Sequence, residues 1–340
     1  MNETLLSMGE RLPLPDWASR MAVARLVART DRRLAAPGKD SDRHFAQAMA
    51  DYPVAIHTGE ANAQHYEVPS SFFEAVLGPR LKYSCCLFDR PDTTLAEAEE
   101  AALAATAAHA GLADGQTILE LGCGWGSLSL WMAEHFPRAR ILAVSNSHGQ
   151  RGHIERQATA RGLGNLVVQT ADMNDFVPAE TFDRIVSVEM FEHMANWRAL
   201  LAKLAPCLAP DGRLFLHVFT HRSAPYRFDH RDKADWIAQH FFTGGIMPSH
   251  SLVRAFDDLF SVDAEWRWNG SHYARTAEAW LDNFDGRNAD VSAILRETYG
   301  ADWKLWHRRW RLFFLATAGL FGHDGGNAWG VSHYLLKPSR

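Results

Sequence analysis

The chain has 340 residues, of which 47% are hydrophobic and 22% charged, an ordinary globular composition that leaves one large or two smaller domains open. A formal net charge of -5 supplies no overall basic field, which argues against a nucleic-acid partner. The four cysteines, Cys85, Cys86, Cys123 and Cys207, have neither disulfide-framework nor zinc-site spacing, so no metal and a reducing, cytoplasmic compartment are expected.

In chain order, the opening MNETLLSMGERLPLPDW lacks the apolar core of a secretory signal. Helices are predicted to about Asp51, with Trp17, Met21, Ala24 and Val27 on one face and Arg20, Arg25, Arg29, Arg32 and Arg33 supplying charge. Such a helix can rest on an anionic membrane surface. Packing its apolar stripe on the neighbouring domain is the favoured reading. From Leu95 the pattern alternates: a helix to Ala110, a strand Thr117 to Leu121, a glycine turn, a helix Ser127 to His135 and a strand Arg140 to Val144. Further strands are expected at Leu166 to Gln169, Phe182 to Val188 and Arg213 to Phe219. Strands separated by helices imply a parallel sheet, an α/β doubly wound fold of Rossmann-like type.

Between His221 and Phe260 the rhythm breaks, and the stretch reads as a helical insertion covering the carboxyl ends of the strands. Late strands at Val262 to Trp268 and Trp329 to Leu336 flank a long helical region and would complete the sheet as a reversed pair. The longest apolar run, Leu312 to Phe321, is too short for the roughly 20 residues of a membrane span. The expected division is an N-terminal helical segment, 1–70, and a catalytic domain, 71–340, with 221–260 as the acceptor-covering insertion.

The strongest local signal is Glu120-Leu-Gly-Cys-Gly-Trp-Gly126, after a strand and before a helix. Glycines there let the backbone turn tightly and approach a ligand. The spacing is neither the dinucleotide G-x-G-x-x-G nor a phosphate-binding P-loop. It resembles the first motif of S-adenosylmethionine (SAM) methyltransferases, which makes Glu120, Gly122, Gly124 and Gly126 candidate cofactor residues. After the second strand, Ser145, Asn146 and Gln150 offer polar groups for ribose hydroxyls; after the third, Asp172 and Met173 offer a carboxylate and an apolar neighbour for adenine. Each is also an ordinary helix cap or turn, but their succession in strand order favours SAM. Past the strand ending at Val188 stand Glu189, Glu192 and His193. If the segment is helical, Glu189 and His193 share a face. Two carboxylates would then hold a cationic amine, with His193 as base.

The motifs Leu81-Lys-Tyr-Ser-Cys-Cys-Leu-Phe88, Glu120 to Gly126, Ser187 to His193, Phe241 to Pro248 and Gly270-Ser-His-Tyr273 resemble the cyclopropane-fatty-acyl-phospholipid synthase family of SAM-dependent methyltransferases, from about Tyr66 to the C-terminus. Within it, YSCC, VEMFEHM, HFFTGGIMPS and WGVSHYL most resemble the coclaurine N-methyltransferase branch, which methylates tetrahydroisoquinoline amines. The resemblance implies SAM as methyl donor, S-adenosylhomocysteine (SAH) as product, and Tyr83 and Ser84 beside the cofactor. It implies N-methylation of a small cyclic or aromatic amine; the alternative is methylation or cyclopropanation of unsaturated phospholipid acyl chains, with peripheral membrane contact. Lipid-modifying members usually carry Gly at the position of Glu189. In cyclopropane synthases Cys, Glu, His and Tyr bind bicarbonate, and the matching residues here are Cys85, Glu192, His217 and Tyr273. Bicarbonate is therefore left open as a second ligand, as is a homodimer through the N-terminal helices.

Overall fold

The computed structural model describes residues 14–38, 40–56, 68–228 and 236–339. The opening stretch through Pro13, the start of the resemblance at Tyr66 and part 229–235 of the expected insertion lie outside the described residues. Among the described residues the first helices are α1 (Asp16–Leu34), α2 (Ser41–Ala48) and α3 (Ser70–Val76). Helix α4 (Leu95–Ala110) begins at a capping box between Thr94 and Glu97 and stops at Gly111 in the left-handed region, as its residue types require.

Strand β1 (Thr117–Leu121), helix α5 (Ser127–His135), strand β2 (Arg140–Ser145), helix α6 (His148–Ala160) and strand β3 (Leu166–Thr170) follow. Then come β4 (Phe182–Val188), α7 (Trp197–Leu204) and the long β5 (Leu208–His221). A two-stranded ribbon of β6 (Tyr226–Arg227) and β7 (Ile246–Met247) brackets the short helix α8 (Trp236–His240). Strand β8 (Phe260–Asn269), helices α9 (Gly270–Gly286), α10 (Asn288–Tyr299) and α11 (Trp303–Phe321), and strand β9 (Trp329–Pro338) complete the chain.

The main sheet has seven strands in the order β3-β2-β1-β4-β5-β9-β8. Strands β1 to β5 pair in parallel; β9 alone runs against them, antiparallel to both β5 and β8. One strand is thus reversed rather than two, because β9 slots between β5 and β8. The inner strands are apolar on both faces, Ile118, Leu119 and Leu121 being buried on β1, as helices on both sides demand. The chain order reverses between β1 and β4, so the loops leaving their carboxyl ends diverge and open a crevice there. That crevice brings Glu120 to Gly126 next to Glu189.

Helix α1 packs on α11, but through a different face from the expected one. The buried stripe is Val23, Val27, Asp31 and Leu34, whereas Trp17 is 67% and Met21 41% exposed. The neighbour chose the face. Gly319 of α11 has no side chain, and a Cβ there would stand 2.5 Å from Val23 Cγ1, so the helices close up at that point. Asp31 then reaches Arg222 at 2.9 Å and His221 at 3.3 Å, polar partners that hydrophobicity on α1 could not report. Each buried valine contributes about 1.5 kcal/mol or more. Among the described residues, no helix is long and apolar enough to cross a membrane; the Leu312 to Phe321 run is the buried half of α11.

Candidate active site

The glycine turn after β1 is shaped by its surroundings. Gly122 has φ +79°, and a Cβ there would lie 2.6 Å from Met190 Cβ, so only glycine lets the β4 exit pass over the β1 exit. Gly124 has φ +52° with nothing within 4 Å of a built Cβ, an open approach to backbone. Both line a cavity of about 250 Å³. Gly126 does not: it starts α5 with its α-carbon against Ile154, where a Cβ would fall at 2.6 Å. It packs closely on α6 at Ile154 and is not among the residues that line that cavity.

The remaining cofactor candidates, Tyr83, Ser84, Glu120, Ser145, Asn146, Gln150, Asp172 and Met173, all line that cavity. Several hold one another. Ser145 Oγ donates to Gln150 Oε1 at 2.6 Å and accepts from Ser147 N at 3.0 Å. Asp172 Oδ1 accepts from Asn174 N at 2.8 Å. Glu120 is buried and accepts from Ser129 Oγ at 2.5 Å, and burial pushes its carboxyl up to about 7.

The other end of the cavity is aromatic. Phe219 from β5, Phe241 and Phe242 after α8, Trp280 from α9, and Phe313 and Phe321 from α11 face it. Aromatic rings give a desolvated, electron-rich wall suited to a flat or cationic ligand. The described part of the 221–260 stretch therefore contributes to the wall from above the strand ends.

Between the two ends lies a carboxylate cluster. The loop 78–86 is pinned by Glu99 of α4, whose carboxylate accepts from Arg80 N at 2.8 Å and Lys82 N at 3.1 Å. Cys86 N donates to Thr276 Oγ1 at 3.0 Å. This fixes the Cys85 amide, which donates to Glu189 Oε1 at 2.9 Å. His217 Nε2 stands 3.1 Å from the same oxygen, and Tyr273 Oη donates to Oε2 at 2.6 Å. Glu189 itself has φ +47°, a conformation costing an L-residue about 1–2 kcal/mol, so the helix expected to align Glu189 with His193 does not form. A single 3₁₀ turn, Phe191–His193, replaces it. Both side chains still line the cavity, His193 with its ring 4.3 Å from Phe242.

Glu192 turns away from this cluster. Its Oε1 accepts from Phe219 N at 2.7 Å, while its buried Oε2 has no hydrogen-bond partner among the described residues. Burial and the neighbouring Glu189 raise its carboxyl well above the usual range, which favours its protonated form. Burial also raises Glu189, but the Lys82 charge, the Cys85 amide and the Tyr273 hydroxyl oppose that rise, so of the two carboxyls Glu189 is the better stabilised as an anion. The Cys85 amide, the His217 ring nitrogen and the Tyr273 hydroxyl are thus taken up by a carboxyl group belonging to the chain, and bicarbonate does not fit beside it. Cys85 contributes its amide; its thiol donates to Cys86 O at 3.4 Å and burial raises it far above ordinary thiols. Cys85→Ala is therefore expected to leave kcat/KM within about threefold, measured by steady-state kinetics, since no thiolate forms there.

Lys82 was missed from the sequence although it sits in a quoted motif. It is 2% exposed, with Nζ donating to Ser84 Oγ at 2.5 Å and Cys85 O at 2.8 Å. A lysine is read as solvated by default; only burial reveals it as the cluster's cation.

Both the sequence and the fold have known relatives. The family model for mycolic acid cyclopropane synthetase matches residues 55–322. (S)-Coclaurine N-methyltransferase of Thalictrum flavum subsp. glaucum is 35% identical over 300 residues, 86% of this chain and 83% of that protein. The crystal structure of a coclaurine N-methyltransferase bound to N-methylheliamine and SAH superposes with TM-score 0.94 at 33% identity, covering 98% of this chain and 99% of that one. The cyclopropane synthase MmaA2 from Mycobacterium tuberculosis superposes with TM-score 0.71 at 25% identity, covering 84% and 99%.

Proposed function

The chain belongs to the mycolic acid cyclopropane synthetase family and is a SAM-dependent methyltransferase, and from that premise we propose that it methylates the nitrogen of a small cyclic amine carrying an aromatic ring. The observation that supports this most is the Glu189 carboxyl, held by the Cys85 amide and the Tyr273 hydroxyl at the wall of an aromatic-lined cavity. A buried anion is costly to desolvate even when it is hydrogen-bonded. An amine arriving as its ammonium form offsets that cost.

When bound, SAM supplies a methyl group made electrophilic by its sulfonium. The chain's residues do the rest. Ser145, Asn146, Gln150, Asp172 and Met173 would hold the nucleoside end, and Glu120 and the Gly122 to Gly124 backbone the remainder. Phe241, Phe242 and Phe313 hold the acceptor's flat ring and exclude water. Glu189 draws the ammonium in, and Glu189 or His193 takes its proton so that the nitrogen lone pair faces the methyl.

Glu120 gives this reading a pH signature. Burial pushes its carboxyl up to about 7, and a cationic ligand favours its anion. SAM binding should therefore release protons, with affinity rising from pH 6 to pH 8; calorimetry in buffers of different ionisation enthalpy checks this. The function itself is tested with methyl-deuterated SAM and two acceptor pools, tetrahydroisoquinolines with other cyclic amines and vesicles of unsaturated phospholipid. Label on an amine nitrogen supports the proposal. Label in acyl chains alone overturns it.

A further inference from the structure

Behind Glu189 lies a row of imidazoles that the reaction above does not use. His217 on β5 and His333 on β9 are register partners, so their rings leave the same face of the sheet. His333 is in turn opposite Trp266 on β8, and His109 of α4 lies flat on Trp266 with ring centroids 4.0 Å and planes 5° apart. The nitrogens form a continuous ladder. Glu189 Oε1 meets His217 Nε2 at 3.1 Å, His217 Nδ1 meets His333 Nε2 at 2.9 Å, and His333 Nδ1 meets His109 Nδ1 at 2.8 Å. His217 and His333 are fully buried, with Trp268 and Phe215 packed on His333.

We infer that His333 and His109 are positioning residues that fix His217 as the tautomer whose Nε2–H donates to Glu189, and so hold that carboxylate ionised toward the acceptor. The inference rests on the role given to Glu189 above. A neutral imidazole has one donor and one acceptor nitrogen. A carboxylate can only accept, so His217 Nε2 donates, His217 Nδ1 accepts from His333 Nε2, and His333 Nδ1 accepts from His109 Nδ1. All three N–H dipoles then point at Glu189, without a buried cation. An isolated His217 could present either nitrogen. In the ladder, reversing His217 means reversing all three rings and placing a proton on Glu189. The Cys85 amide and the Tyr273 hydroxyl on the same carboxylate oppose that reversal. Burial lowers all three histidines, which keeps them neutral. The titratable groups facing Glu189 are Lys82 and Cys85 from the loop before α4, Glu192 after β4, His217 on β5 and Tyr273 on α9. Lys82 also acts on His217 and His333, disfavouring their cations.

The first test reads tautomers without any acceptor, so it stands apart from the identity of the substrate. Long-range ¹H–¹⁵N correlation on histidine-labelled, ligand-free protein should show His217 and His333 protonated at Nε2 and His109 at Nδ1. His217 protonated at Nδ1 overturns the inference, whatever the acceptor proves to be. The second test uses variants. In His333→Leu, His217 is released, and the acid limb of the kcat/KM profile should move up by about one pH unit. In His333→Gln, whose Nε2 stands where the histidine Nε2 stood, the limb should stay in place. Because His333 is buried, His109→Leu against His109→Asn repeats the comparison at the half-buried end, where the Asn Nδ2 replaces Nδ1. Lowered melting temperature with an unmoved acid limb in the leucine variants would mean that the ladder is only packing.

Discussion

Glu189→Gln is expected to lower kcat/KM for an amine acceptor by at least about 100-fold, the usual scale for a group that handles a substrate proton. The amide cannot be an anion, and its NH₂ would face one of the donors that now meet the carboxylate, the Cys85 amide and His217 Nε2 on one oxygen or the Tyr273 hydroxyl on the other. SAH affinity should change far less, because Glu120 and the β2 and β3 exits form a separate part of the wall. Glu192→Gln is the control. Burial and Glu189 push the Glu192 carboxyl toward its neutral form, and it accepts one amide hydrogen from Phe219, which a glutamine carbonyl can also accept, so its loss should be at least tenfold smaller. Equal losses in the two variants would show that the two carboxyls act as one unit and that the assignment of a single anion is wrong.

Gly122→Val should be the most damaging change on the cofactor side. A β-branched residue at φ +79° costs about 1–2 kcal/mol in the backbone. Its Cβ at 2.6 Å from Met190 Cβ adds overpacking of about 1–3 kcal/mol. Met190 adjoins Glu189, so the displacement reaches both halves of the site. The expected result is SAH affinity weakened at least about tenfold, by calorimetry, and a melting temperature lowered by several degrees. Gly124→Ala separates strain from crowding: φ is +52° but nothing lies within 4 Å, so its stability cost should stay near 1 kcal/mol. If Gly122→Val melts no lower than Gly124→Ala, the Met190 contact does not constrain the turn.

Local order was legible in the residues. The helices Leu95–Ala110 and Ser127–His135 and the strands Thr117–Leu121 and Phe182–Val188 stand where apolar spacing and caps place them. Their boundaries are set by short-range chemistry: the Thr94 and Glu97 box, the Gly111 stop, the glycine turn after Leu121. The SAM methyltransferase reading followed from the same local signals, because a cofactor bound at successive strand exits leaves its marks in strand order.

What the residues could not show was set by neighbours distant in sequence. The buried face of α1 was decided by Gly319, and Gly126 by Ile154. Glu189 and Glu192 look alike in the motif, yet one meets polar groups of Cys85, His217 and Tyr273 and the other a single amide from Phe219. The charge on each follows from burial and donor count, quantities that exist only once β4, β5 and α9 come together. The same holds for Lys82 and for the His217, His333 and His109 ladder, whose members are separated by more than a hundred residues. Antiparallel register on β5 and β9 puts them in line. Periodicity along one chain segment carries no information about which side chain lies across the sheet, and that is where the chemistry of this site was decided.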